Sequence, residues 1–313
     1  MLPAADSTHA LTSKGKFVLE PGWMLVSYRL GDSETPRLGV LEGGVIKSAP
    51  DFLSSLSLLE VIDAWDDVST KLQAWAPPAS GAVTDARLTT PLQFPRKVIC
   101  AGANYYGHLA EMGIERPDGS VRPYFFFKPP STTVTGPGDA IRLPVRSTST
   151  IDWEAELGVV IGRRAHNVGA EQARSYVAGY TIVNDISARD RLARPDAVAP
   201  PFGFDWFSAK AADTFCPIGP GIVPDWLIAD PQSLSIRLSV NGMVKQDSNT
   251  SDMVCGIWDL IAEASAVMTL EPGDVIATGT PAGVGAPRGD FLRAGDEVVV
   301  QIDRLGTLCN PVV

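Results

Sequence analysis

Apolar positions in the first hundred residues change their period twice. Trp23-Met24-Leu25-Val26-Ser27-Tyr28-Arg29-Leu30 is a mixed apolar run opened by Pro21-Gly22 and predicts a first strand. Arg37 to Leu41 and Val45-Ile46 repeat that signal on either side of a Glu42-Gly43-Gly44 turn, so a small antiparallel sheet is expected. From Ser54 to Trp75 the apolar residues Leu56, Leu58, Leu59, Ile62, Trp65, Val68, Leu72 and Trp75 recur mostly three or four apart. That spacing predicts one amphipathic helix or two short ones, stopped by Pro77-Pro78. Residues 79–97 carry Gly81, Pro91 and Pro95 without a sustained period and read as a linker.

Beyond Val98 the pattern becomes short strand-like runs punctuated by glycine and proline, with helices expected at 171–178 and 256–267. Long helices alternating with parallel strands are absent, which argues against a TIM barrel or a doubly wound sheet. The fold class expected is therefore mixed, β-rich α+β: a small N-terminal α/β domain with an irregular leader at 1–90, then a larger domain at 91–313.

Two stretches depart from ordinary strand patterning. In Ile151-Asp152-Trp153-Glu154-Ala155-Glu156-Leu157 the period is two, so Trp153, Ala155 and Leu157 face one way and Asp152, Glu154 and Glu156 the other. Neighbouring carboxylates repel unless they face water, share a proton or are neutralised by a cation. An edge strand with a solvated face would satisfy them, and so would a hard divalent metal, Mg²⁺ or Mn²⁺ with Ca²⁺ as a further candidate. Asp185, at the end of the apolar run Tyr180-Thr181-Ile182-Val183-Asn184, is the best third ligand. Asp190 is an alternative, although Arg189 beside it offers an ion pair.

The second stretch runs from Val98 into Asn104-Tyr105-Tyr106-Gly107-His108-Leu109-Ala110-Glu111, where a strand gives way to a helical segment. His108 and Glu111 are three apart and share a helix face, a pairing that can manage a proton near neutral pH or form a plain surface contact. His9 and His166 sit in irregular or turn-like surroundings.

Other residues leave their alternatives open. Tyr124-Phe125-Phe126-Phe127-Lys128 reads as a core strand with Lys128 emerging at its end before Pro129-Pro130. Lys210 suits either a surface ion pair or a buried ammonium facing a bound substrate, and Gln246, after the Asn241-Gly242 turn, is most simply a surface amide. The segment 273–285 is glycine-rich but has neither the lysine of a P-loop nor G-x-G-x-x-G spacing. Its amides and Thr280 can bind a carboxylate, or the segment is a structural turn.

Composition narrows the classes. Lys and Arg number 26 against 36 Asp and Glu, a formal charge of −10, which argues against a nucleic-acid or anionic-membrane surface. Residues 1–20 hold no apolar stretch of signal-peptide length, and no segment reaches the roughly 18 apolar residues of a membrane span, so a cytoplasmic protein is expected. Cys100, Cys216, Cys255 and Cys309 are too scattered for a zinc knuckle and read as free thiols.

Taken together, the ordered words resemble the fumarylacetoacetate hydrolase family. They are GANYYGHLAEMG at 102–113, YFFFKPPSTTVTGPGDAI at 124–141, DWEAELGVVIGRRAHNV at 152–168 and GYTIVNDISARD at 179–190. KAADTFCPIGP at 210–220, VNGMVKQDSNTSDM at 240–253 and LEPGDVIATGTPAGVG at 270–285 follow. The resemblance implies a β-roll core behind a small N-terminal domain, a homodimer, and a metal triad of Glu154, Glu156 and Asp185. It implies catalytic roles for His108, Glu111 and Lys210, and substrate contacts at Gln246 and Thr280, with Tyr106 and Arg189 as further candidates.

The activity it implies first is divalent-metal-dependent hydrolysis of a carbon–carbon bond in a 2,4-dioxo acid through a metal-stabilised enolate. Isomerisation, tautomerisation or decarboxylation of a 2-oxo dicarboxylic acid is the alternative, and a non-catalytic small-molecule binding protein the lesser one. The chain departs from the resemblance at Arg191-Leu192, where leucine and glutamine are common, in the proline-rich stretch 195–205, and at Ala209, where glycine commonly precedes the lysine. These departures bear on substrate identity more than on metal binding.

Overall fold

The computed structural model describes residues 22–117, 121–145 and 150–313; His9 and nearly all of the leader lie outside them. Strands β1 (Trp23–Leu30), β2 (Arg37–Glu42) and β3 (Val45–Ser48) precede helices α1 (Leu58–Asp63) and α2 (Trp65–Gln73). Then come β4 (Ala86–Thr89), β5 (Val98–Gly102), α3 (Tyr106–Glu111), β6 (Tyr124–Lys128) and β7 (Val134–Thr135). The middle of the chain supplies β8 (Ile151–Asp152), β9 (Ala155–Ile161), β10 (Val177–Asn184), β11 (Ser187–Ala188), α4 (Trp206–Lys210) and β12 (Cys216–Pro224). The last part holds β13 (Ser235–Val240), β14 (Met243–Asn249), α5 (Ile257–Val267), β15 (Val275–Ala277), β16 (Glu297–Ile302) and β17 (Gly306–Pro311).

Among the described residues one long mixed sheet runs β3-β2-β1-β12-β10-β9-β15-β5-β6, with β4 on β1 and β7 on β12. A four-stranded sheet, β14-β13-β16-β17, and the short β11-β8 pair complete the β structure. This is the β-rich mixed core expected from the sequence, with helices at its periphery. Period two along β9 sorts its side chains between two apolar clusters. Val160 joins Leu25, Ile62, Trp65, Leu72, Val98 and Val183 under α1 and α2, while Leu157, Val159 and Ile161 join Tyr180, Ile182, Leu238, Val300 and Ile257 on the other face.

Local chemistry explains several boundaries. Ser57 and Glu60 form a reciprocal capping box that starts α1: Ser57 Oγ accepts from the Glu60 N–H, and Glu60 accepts from the Ser57 N–H at 2.7 Å. The β13–β14 hairpin turns on Asn241 and Gly242, both at positive φ, as a tight two-residue turn requires. Gly158 in β9 lets β10 pack closely, since a Cβ there would meet methyls of Thr181 and Val183 at 2.8 Å.

Four expectations need correction. The linker 79–97 contains β4, which pairs with β1 from Ser27↔Thr89 to Leu30↔Ala86. Residues 171–178 hold one 3-10 turn, Ala173–Tyr176, and enter β10 at Val177; the window is only about two helical turns long, and pairing with β9 outweighs its helical period. The acidic strand is no solvated edge: β9 lies between β10 and β15 and is buried throughout. Conversely, β6 is the last strand of the sheet order, with Tyr124 and Phe127 about half exposed, whereas Lys128 turns inward with no exposed surface. An ion pair and a hydrogen bond to a main-chain carbonyl, described below, hold that lysine there.

Candidate metal centre

The centre forms where β9 begins and β10 ends. These strands are antiparallel, with Val183 opposite Glu156 and Asn184 opposite Ala155. Asp185, the next residue, therefore arrives beside Glu154, and its N–H donates to the Glu154 carbonyl at 2.8 Å. Asn184 Oδ1 accepts from the Glu154 N–H at 3.1 Å. Glu154, Glu156 and Asp185 are buried, and each offers an oxygen within 4.8 Å of the others. The three predicted ligands thus converge.

Cations crowd two of the three. Lys210 Nζ, at the end of α4, donates to Glu154 Oε2 at 2.8 Å and to Asp185 Oδ2 at 2.7 Å. Lys128 Nζ bonds the other Asp185 oxygen and donates to the Ile186 carbonyl at 2.9 Å. Arg189 bridges Asp152 Oδ1, 2.7 Å from Nε, and Glu154 Oε1, 2.5 Å from Nη2. Asp152 also accepts from the Ala286 N–H at 2.9 Å. Glu156 has no ion pair among the described residues and accepts only the Gly279 N–H, at 2.8 Å.

The titration of these groups follows that distribution. Burial pushes the Glu154 carboxyl up, but Lys210 and Arg189 outweigh it and hold it far below its ordinary value. Glu156, lacking such a partner, is driven well above its ordinary value by burial and by Asp185 and Glu154. Burial also raises Asp152, to about 6 after Arg189 offsets part of the effect. Burial alone would favour a neutral Lys210, yet Asp185 and Glu154 reverse this and raise its pKa.

The residues fit a hard divalent cation. Four carboxylates face three cationic side chains, leaving a formal charge of −1, and the uncompensated member, Glu156, belongs to the converging triad. All the donors are oxygens, which suits Mg²⁺ or Mn²⁺.

The proton-handling candidates lie on α3. His108 Nδ1 is 2.6 Å from Glu111 Oε1, and Glu111 Oε2 accepts the Gly283 N–H at 2.9 Å. Burial raises the Glu111 carboxyl, but these two hydrogen bonds and the charges of His108 and Arg288 bring it below its ordinary value. The buried imidazole is near enough to Glu154 for its charged form to favour the ionised carboxylate. Asp252 accepts the Gly107 N–H at 2.9 Å and so fixes the first turn of the helix.

The remaining candidates divide. Gln246 is no surface amide: it is fully buried, because its side chain accepts from the Ala155 N–H and donates to Thr280 Oγ1 and the Pro281 carbonyl. Thr280 is buried beside it. Tyr106 packs under the Arg116 guanidinium, 3.8 Å from the ring centroid, with no hydrogen bond to the triad among the described residues. Asp190, the alternative ligand, is exposed and bonds Thr150 at 2.5 Å. Cys100, Cys216, Cys255 and Cys309 are free thiols, and burial lifts Cys216 to about 12.

Sequence reasoning missed Lys128 as a partner of Asp185, and Asp152 as the anchor of Arg189. Both carried a signal. Lys128 has the strand parity of buried Phe126, and Asp152 that of Glu154 and Glu156.

The chain matches the family described as fumarylacetoacetate (FAA) hydrolase C-terminal over residues 97–313. It is similar to the mitochondrial oxaloacetate tautomerase fahd2 of Xenopus laevis, 38% identical over 297 residues covering 92% of this chain and 90% of that protein. It is similar to the oxaloacetate tautomerase YisK of Bacillus subtilis (strain 168), 42% identical over 236 residues covering 74% of each chain. A solved neighbour is the maleylpyruvate hydrolase of Sphingobium sp. SYK-6 in complex with manganese(II) ion and pyruvate. Its TM-score is 0.71 at 31% identity, covering 93% of this chain and 98% of that one.

Proposed function

The chain belongs to the fumarylacetoacetate hydrolase family, and from that premise we propose that it tautomerises a 2-oxo dicarboxylic acid, moving a proton between the 2-oxygen and C3 of an oxaloacetate-like substrate. The observation that carries this choice is the likeness to oxaloacetate tautomerases at 38% and 42% identity, against 31% for the hydrolase. The site chemistry agrees, since tautomerisation needs a proton carrier and fixed positive charge but no nucleophile.

A divalent cation held by Glu154, Glu156 and Asp185 would supply Lewis acidity toward the substrate's 2-oxo and 1-carboxylate oxygens. Glu111 engages His108 through Nδ1, which leaves Nε2 as the atom to take or deliver the proton. Lys210 stays charged beside Asp185 and Glu154, so its role is to offset negative charge developing on the 2-oxygen rather than to act as a base. Tyr106 and Arg189 are our candidates for contact with the remainder of the acid. A homodimer and a cytoplasmic location, both expected from the sequence, belong to the same proposal; light scattering tests the first and imaging of a tagged chain the second.

Carbon–carbon hydrolysis of a 2,4-dioxo acid is the second reading, favoured by the maleylpyruvate hydrolase neighbour. There the His108–Glu111 pair would deprotonate a water instead. Purified protein supplied with Mg²⁺ or Mn²⁺ separates the two. We expect faster decay of the ultraviolet absorbance of enol-oxaloacetate, without release of carbon dioxide. Cleavage of acylpyruvates to pyruvate and a second acid, with oxaloacetate tautomerising only at the buffer rate, would replace the first reading by the second.

A further inference from the structure

Ala155 lies between two of the clustered carboxylates, and side chains hold both of its backbone polar groups. Its N–H donates to Gln246 Oε1 at 2.9 Å, and its carbonyl accepts from Thr280 Oγ1 at 2.9 Å. Gln246 Nε2 donates to Thr280 Oγ1 and to the Pro281 carbonyl, each at 2.8 Å. The two amide hydrogens of Gln246 and the one hydroxyl hydrogen of Thr280 are therefore all spent inside the protein. Neither side chain has a donor left for a substrate carboxylate, and Gln246 has no exposed surface.

The flanking residues are fastened in the same way. Asn184 holds the Glu154 N–H, and the Gly279 N–H holds the Glu156 carboxylate. Glu154 and Glu156 project from one side of the chain, so a tilt of either peptide plane at Ala155 changes their separation. Gln246 comes from β14 and Thr280 from the loop after β15, so two distant parts of the chain meet on the one residue between the ligands.

We propose that Gln246 and Thr280 are positioning residues: by clamping Ala155 they set the spacing of the Glu154 and Glu156 carboxylates. This rests on the reading of Glu154, Glu156 and Asp185 as a divalent-cation site. A supporting shell of this kind commonly contributes ten- to a hundredfold to metal affinity.

The test compares wild type, Thr280→Val, Thr280→Ser and Gln246→Met by two measurements. Mn²⁺ affinity is read from the electron paramagnetic resonance signal of free ion, and pyruvate affinity from calorimetry at saturating Mn²⁺. We expect Thr280→Val and Gln246→Met to weaken Mn²⁺ binding by about tenfold or more, Thr280→Ser to restore it, and the pyruvate affinity of Gln246→Met at saturating Mn²⁺ to stay at the wild-type value. Circular dichroism checks folding; if Gln246→Met does not fold, the valine and serine variants of Thr280 decide the matter alone. Unchanged Mn²⁺ affinity in Thr280→Val or Gln246→Met would overturn the proposal, and so would weakened pyruvate binding by Gln246→Met. A wild-type protein that binds Mn²⁺ no better than Glu156→Gln would instead remove the cation site itself.

Discussion

Replacing Glu156 by Gln is expected to stabilise the metal-free protein and to weaken the metal-loaded one. Among the described residues Glu156 is the triad carboxylate without an ion pair, and its contact to the Gly279 N–H survives as an amide oxygen acceptor. Two unit charges 4.8 Å apart repel by roughly 3.5 kcal/mol at an effective dielectric near 20. Holding a proton relieves part of that, so the expected gain is about 1–3 kcal/mol, or roughly 2–6 °C in Tm for a chain of this length. The pH dependence has a definite sign. A carboxyl whose pKa is raised on folding contributes stability at low pH that is lost as pH rises through the folded value. The advantage of Glu156→Gln should accordingly be larger near pH 8 than near pH 5. Mn²⁺ reverses the order: at about a thousandfold excess over Kd it adds roughly 4 kcal/mol to wild type, some 8 °C, and much less to a variant lacking one ligand. Calorimetric melting with chelator and with Mn²⁺, at both pH values, reads all four cases. A variant less stable than wild type in chelator near pH 8, or one that gains as much from Mn²⁺, would refute the reasoning.

Lys128→Met should destabilise the protein by about 3–5 kcal/mol in denaturant unfolding, because it leaves Asp185 buried with one cationic partner in place of two; a loss below about 1 kcal/mol would show that the pair is not needed. His108→Ala and Glu111→Gln should each lower kcat by about 10²–10⁴ while Mn²⁺ affinity, measured by calorimetry, stays near wild type. Chelation should abolish turnover, and Mg²⁺ or Mn²⁺ should restore it; full activity after exhaustive chelation would contradict a metal-dependent reaction.

The triad was legible because its signals are local. Period two puts Glu154 and Glu156 on one side of a strand, and the end of an apolar run marks Asp185. The 23–30 strand, the helical pattern of 54–75 and the helix near 256–267 rest likewise on uninterrupted periodicity, and the structure has β1, α1 with α2, and α5 there. Burial of polar residues was not legible, because it depends on partners far along the chain. Lys128 meets Asp185 across 57 positions, and Gln246 meets Ala155 across 91. Without those partners a lysine before Pro129-Pro130 and an amide after a turn read as surface residues. For the same reason β4 vanished into a linker: four residues carry little periodic signal, and only pairing with β1 makes them a strand.

The cost of the arrangement argues that it is functional. Asp152, Glu154, Glu156 and Asp185 are almost wholly removed from water, and with every carboxylate ionised they and Lys128, Lys210 and Arg189 would carry a formal charge of −1. Well-packed apolar residues of similar size would be at least as stable, since buried ion pairs seldom recover their desolvation. On the proposed function, a divalent ion would change the balance to +1 and so favour entry of an anionic oxo acid beside the His108–Glu111 pair. Glu111 is tied through Gly283 to the same loop whose Gly279 and Thr280 hold Glu156 and Ala155. The loop therefore joins β9 to α3, and a change in the spacing of Glu154 and Glu156 should be felt at His108 without any residue of α3 being altered.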